Sequence, residues 1–140
     1  MKEYLNVCEK KYLGNLLKIY PNKLIDEQYY EMGAYRAYSI GNILIRIVND
    51  KGIVTLEMKS KYDGKKEYFE VSEYAEYLGI DYRYEKKGIM QLNLEQQKTI
   101  IEDNWKRIQN ASGIIRHRLV YRKLNKIRAE KSGIMFPGMK

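Results

Sequence analysis

Two runs of β-branched and aliphatic residues, Ile43 to Val48 broken only by Arg46 and Ile53 to Met58, flank the turn-forming Asn49-Asp50-Lys51-Gly52. Apolar runs joined through a short Gly-containing loop read as an antiparallel hairpin. Gly52 is then the residue expected to take positive φ, because it alone in the loop lacks a Cβ. The turn chemistry repeats at Tyr62-Asp63-Gly64-Lys65, which predicts a third antiparallel strand over Glu67 to Val71. A second candidate hairpin follows, with Ile80, Tyr82 and Tyr84 alternating against Asp81, Arg83 and Glu85, and Lys87-Gly88 leading into Ile89 to Leu92. Residues 23–38 are ambiguous; the alternation of Tyr35, Arg36, Ala37 and Tyr38 suits an edge strand.

Helical periodicity appears on both sides of this β-rich middle. Leu5, Cys8, Tyr12, Leu16 and Ile19 fall on one face, with Lys10, Lys11, Gly14 and Lys18 opposite, and Pro21-Asn22 ends the helix. Ser72 is a plausible N-cap, with Glu73 in the first turn, for a short helix carrying Tyr74, Ala75, Tyr77 and Leu78 and stopping at Gly79. Asn93 with Gln96 forms a capping-box pattern, after which Leu94, Ile101, Trp105 and Ile108 share a face. Glu102 with Lys106 and Asp103 with Arg107 are spaced as favourable i,i+4 pairs. A break near Ser112-Gly113 precedes a last helix with Val120, Leu124 and Ile127 on its apolar side, expected to close before Ser132-Gly133. The expectation is an α+β fold: a central antiparallel sheet of hairpins packed by an N-terminal helix and two C-terminal helices. It comprises a single domain over residues 1–140, with a basic helical segment at about 106–131 and a short apolar tail at 132–140.

A chain of 140 residues buries enough surface to fold without staples. Its one cysteine, Cys8, sits in the apolar stripe of the first helix and reads as a small buried hydrophobe. No apolar segment follows the basic first residues, and no run approaches the ~18 apolar residues of a membrane span, so a cytoplasmic protein with no membrane partner is expected. Fourteen tyrosines against two Phe and one Trp imply many half-buried rings, each with an apolar body and a polar tip.

Catalytic and metal chemistry lack residues. One His and one Cys cannot make a structural zinc site, and there is neither a phosphate-cradling glycine loop nor a nucleophile elbow. No cofactor, no metal and no catalytic residue is expected. His117, between Arg116 and Arg118, reads either as a general base of the kind small metal-independent ribonucleases use or as a histidine packed near the Val120 and Leu124 face. Trp105 reads as a core ring.

The charge is uneven. From Lys106 to Lys140 ten Lys or Arg face Glu130 alone, so the net +8 of the chain belongs to its last quarter. Such a concentration sets up a directed field that attracts an anionic surface. Arg118, Arg122 and Lys126 form an i, i+4, i+8 stripe, and with Arg116 and Lys123 they are the expected partner-binding residues. Tyr121 is the only aromatic between Trp105 and Phe136, so the interleaved stacking platform of single-strand binders is missing.

The run SIGNILIRIVNDKGIVTLEM at 39–58, followed by a strand and then VSEYAEYLGI at 71–80, resembles small bacterial immunity proteins of polymorphic toxin systems of the contact-dependent inhibition type. The matching features are the Asp50-Lys51-Gly52 turn, the return strand and the short helix ending in Leu78-Gly79. The resemblance implies an α+β antitoxin module, without catalytic residues, that occludes the active site of a cognate toxin C-terminal domain. Inhibitors of nucleases in such families are typically acidic, so this basic segment implies an acidic toxin face, a target other than a nuclease, or an interface elsewhere. The alternative is a nucleic-acid-binding protein that lays its basic C-terminal helix on phosphates.

Overall fold

The computed structural model describes residues 2–80 and 92–135. Four long strands and one short one form an antiparallel meander in the order β1 (Lys23–Tyr29), β2 (Gly33–Ile40), β3 (Ile43–Asp50), β4 (Ile53–Ser60) and β5 (Phe69–Glu70). Burial alternates along β3 and the first part of β4, as it must when only one face of a sheet is fully covered. Ile43, Ile45 and Ile47 of β3 meet Val54, Leu56 and Met58 of β4 on the covered face, and Ala34 and Ile40 of β2 extend it.

The central hairpin forms where its sequence placed it, with a tighter turn. Asp50 pairs with Ile53, which leaves Lys51 and Gly52 as a two-residue loop with φ of 54° and 89°. Positive φ at both positions matches the right-handed twist of the flanking strands. The Asn49 side chain fixes the loop by accepting the Gly52 N–H at 2.9 Å. The expected edge strand at Tyr35 to Tyr38 is instead interior: β2 pairs along its length with β3 and is flanked on its other side by β1. The ambiguous residues after Pro21 supply the true edge. β1 is exposed at every position, carries Lys23, Asp26 and Glu27, and contains a register shift between Leu24 and Asp26. Charges and a bulge are the usual devices that keep an edge strand from pairing with another chain.

The third strand is shorter than expected. Only Phe69 and Glu70 pair with β4, because a capping box between Glu70 and Glu73 turns the chain into helix α3 (Val71–Leu78). Glu70, not Ser72, is therefore the N-cap. The unpaired Leu56 N–H on β4 finds its acceptor in Gln97 Oε1 at 2.8 Å. The second expected hairpin falls on residues 81–91, outside the described residues.

The first helix is split at Leu13 into α1 (Lys2–Tyr12) and α2 (Gly14–Ile19), and the next long one at Asn104 into α4 (Leu94–Asp103) and α5 (Trp105–Ala111). The Asn93–Gln96 capping box starts α4 as its sequence predicts. α1 packs on β2 and β3, and α4 on β4. Leu5, Cys8, Leu16, Ile100, Ile101 and Ile108 close the core over the sheet. A partly buried polar network ties α1 to β1 and β2: Arg36 contacts Glu9 at 3.2 Å, Tyr29 Oη at 2.7 Å and Asn6, and Tyr38 donates to Glu9 at 2.5 Å. Burial, then the Glu9 hydrogen bond, raises the Tyr38 hydroxyl pKa, so the ring stays neutral and keeps its proton in that bond.

At the other end, Gln109 of α5 holds the β2–β3 turn. Its Oε1 accepts the Asn42 N–H at 2.6 Å and its Nε2 donates to Ile40 O at 3.0 Å, while Gly41, with φ 59°, leaves room for the amide. The last helix, α6 (His117–Met135), runs past the stop expected at Ser132-Gly133. Gly and Ser lower helix propensity but do not break a helix held by tertiary contacts.

Candidate partner-binding face

The position of α6 is set by its buried side. Val120 and Leu124 enter the core, and Tyr121 meets Phe69 edge-on at 5.6 Å. Further along, Arg128 reaches the fully buried carboxylate of Glu73, with both guanidinium contacts at 2.8 Å, and it also donates to Tyr68 O and lies 4.6 Å above the Phe69 ring. The Glu73 hydrogen bond raises the pKa of Arg128 further, against the effect of burial. Lys131 pairs with Glu70 at 2.9 Å. Two of the segment's cations therefore fasten α6 to α3 and are not available to a partner. Arg107, although exposed, donates to Leu78 O and Asn104 rather than pairing with Asp103, and Glu102 accepts instead from Asn15. The helix break at Asn104 separates residues that an unbroken helix would have paired.

Arg116, Arg118, Arg122 and Lys126 are exposed, and none of their side chains forms an ion pair or hydrogen bond with a described residue. Lys123 is exposed as well, with its ammonium 6.0 Å from the Tyr77 ring. The predicted stripe is thus brought together on the outward side of one anchored helix. Beside it lie residues that sequence periodicity did not single out: Ile114, Ile115 and Leu119 are 68%, 90% and 52% exposed. Their signal was present in the chain, because an Ile-Ile pair after Ser112-Gly113 falls outside the Val120 and Leu124 stripe. Tyr121, half-buried against Phe69, is not free to stack on a base.

His117 begins α6 and is half-buried, 6.2 Å from the Tyr62 ring. It borders a cavity of about 10 Å³, shared with Lys59, Asp63, Tyr74, Ser112, Val120 and Leu124, which has room for a single water. Ser112 Oγ is buried there beside the Tyr74 hydroxyl and makes no well-formed hydrogen bond, which suits a bound water. Trp105 is half-buried and stacks on Tyr20 at 5.1 Å, joining α5 to the end of α2 rather than to the sheet. Among the described residues no group of His, Cys, Asp or Glu is placed to hold a metal ion, and no helix is long and apolar enough to cross a membrane.

The open face of the sheet carries a second cationic feature. Arg46 is bonded to Glu57 at 2.6 Å and lies 4.1 Å from the Tyr68 ring and 5.6 Å from the Tyr35 ring. Tyr35 donates to Asp26 at 2.7 Å, and that hydrogen bond, with burial, pushes its pKa up to about 12. Comparison of the chain with protein-family models, with curated proteins and with solved structures finds no match.

Proposed function

We propose that this protein is a non-catalytic binding module that neutralises a cognate toxin domain by covering its active site, as an immunity protein does, and that it meets the toxin through the outward face of α6. The observation that carries this reading is the division of cations on that helix. Arg128 and Lys131 have carboxylate partners within the chain, whereas Arg116, Arg118, Arg122 and Lys126 have none among the described residues. Unpaired cations held on a rigid element raise the encounter rate with an acidic surface and cost little reorganisation on binding.

The test is co-expression with a toxin domain encoded by a gene neighbouring that of this chain in its host, sought there first. Restored growth together with a stoichiometric complex that survives nuclease treatment is expected. A toxin that kills regardless, or binding to random duplex DNA that falls about 10³-fold between 50 and 200 mM salt, would overturn the reading in favour of phosphate binding.

A further inference from the structure

Interfaces bind most tightly where an apolar anchor enters a pocket and polar groups ring it. The corner between α5 and α6 has that arrangement. His117 N–H bonds to Gly113 O at 3.0 Å and Val120 N–H to Arg116 O at 3.1 Å, so the turn at residues 113–116 is already wound in the sense of the helix that follows. Ile115 therefore stands one turn before Leu119, and Arg122 and Lys126 continue the same row. Arg116 and Arg118 flank it. Three exposed aliphatic side chains, one of them 90% exposed, are held at a fixed corner and surrounded by cations that have no described partner.

We propose that Ile114, Ile115 and Leu119 form an apolar anchor that inserts into a hydrophobic pocket rimmed by carboxylates on a partner protein, with Arg116, Arg118 and Arg122 pairing with that rim. The inference rests on the binding role assigned to this face and specifies the chemistry of what it binds. A membrane surface fits less well. A helix lying in a bilayer presents an apolar face along its length, whereas here the apolar part spans one turn and the same row then becomes cationic. A nucleic-acid backbone fits less well again, because it would set three aliphatic side chains against phosphates.

The experiment selects peptides from a random display library on the wild-type protein and measures the best of them in solution. Selected peptides are expected to carry Asp or Glu around a Leu, Phe or Trp. Ile115→Ser should weaken them about tenfold or more and leave the salt dependence intact. Arg118→Glu with Arg122→Glu should weaken them and flatten the salt dependence. All of these positions are exposed, so circular dichroism should match the wild type. Peptides without an acidic bias, or unchanged binding to Ile115→Ser, overturn the proposal. So does tight binding to phosphatidylserine vesicles that Ile115→Ser abolishes, or to duplex DNA that only the arginine variant loses. Growth protection separates this inference from the reading beneath it: protection lost in the arginine variant but kept in Ile115→Ser leaves the toxin role standing and removes the anchor.

Discussion

The open sheet face and the outward face of α6 both present arginine to solvent, but they differ in what surrounds it. On the sheet, Arg46 is enclosed by Glu57, Tyr35 and Tyr68, and Tyr35 is tied in turn to Asp26. On α6, Arg118 and Arg122 have neither a carboxylate nor a ring from the described residues. A cation whose counter-ion is supplied by its own fold stabilises that fold. One left without a counter-ion contributes nothing there and remains available to a second molecule. The same contrast runs along α6 itself, from Arg128, bonded to Glu73, to Arg122, whose side chain has no partner among the described residues.

Stability measurements can break this comparison. Arg128→Ala should cost about 3 kcal/mol, because it leaves the buried Glu73 carboxylate without its partner, and should lower the denaturant midpoint accordingly. Arg46→Ala should cost less, about 2 kcal/mol, since Arg46 and Glu57 are both partly solvated. Arg122→Ala should fall within about 0.5 kcal/mol of the wild type. A destabilised Arg122→Ala would mean that the outward face has a structural partner after all. Gly52→Val tests the hairpin beneath the open face. A β-branched residue at φ 89° should cost about 1 kcal/mol or more, and an unchanged midpoint would contradict the turn.

The smallest expected effect is on pH. The Tyr35 pKa is raised from an unfolded value near 10 to about 12, so the folded state holds its proton more tightly. That contribution is complete below pH ~10 and is lost as the pH rises toward ~12, where the unfolded chain has already released its proton. Tyr35 is one of several late-titrating rings, Tyr38 among them, and tyrosinate absorbance should lose one late-titrating ring in Tyr35→Phe. Loss of a ring that titrates near the ordinary value of about 10 instead would mean that the Asp26 bond does not form.

Much of this was readable in the chain where the signal is local. The Ile43 to Met58 hairpin, the Asn93–Gln96 box and the stop at Gly79 are set by a few neighbouring residues, and they form as expected. Where tertiary contacts decide, local reading fell short. The Lys23 to Tyr29 strand has no alternation because neither of its faces is covered. Glu70 displaced Ser72 as cap because its side chain and that of Glu73 satisfy each other's backbone. α6 continued past Gly133 because its far half is fastened through Arg128 and Lys131 to α3. The basic stripe was legible as a stripe, but which of its cations are already used was not. That depends on Glu70 and Glu73, more than fifty residues away in sequence.

The central claim is that the outward face of α6 binds the toxin, and the most direct measurement is growth protection on co-expression with the toxin domain by two variants of equal net charge. Arg118→Glu with Arg122→Glu reverses the outward stripe of α6, whereas Lys10→Glu with Lys18→Glu makes the same change on the exposed sides of α1 and α2. The account predicts that the first variant loses protection and the second keeps it. Equal protection by both, or loss in both, would contradict it.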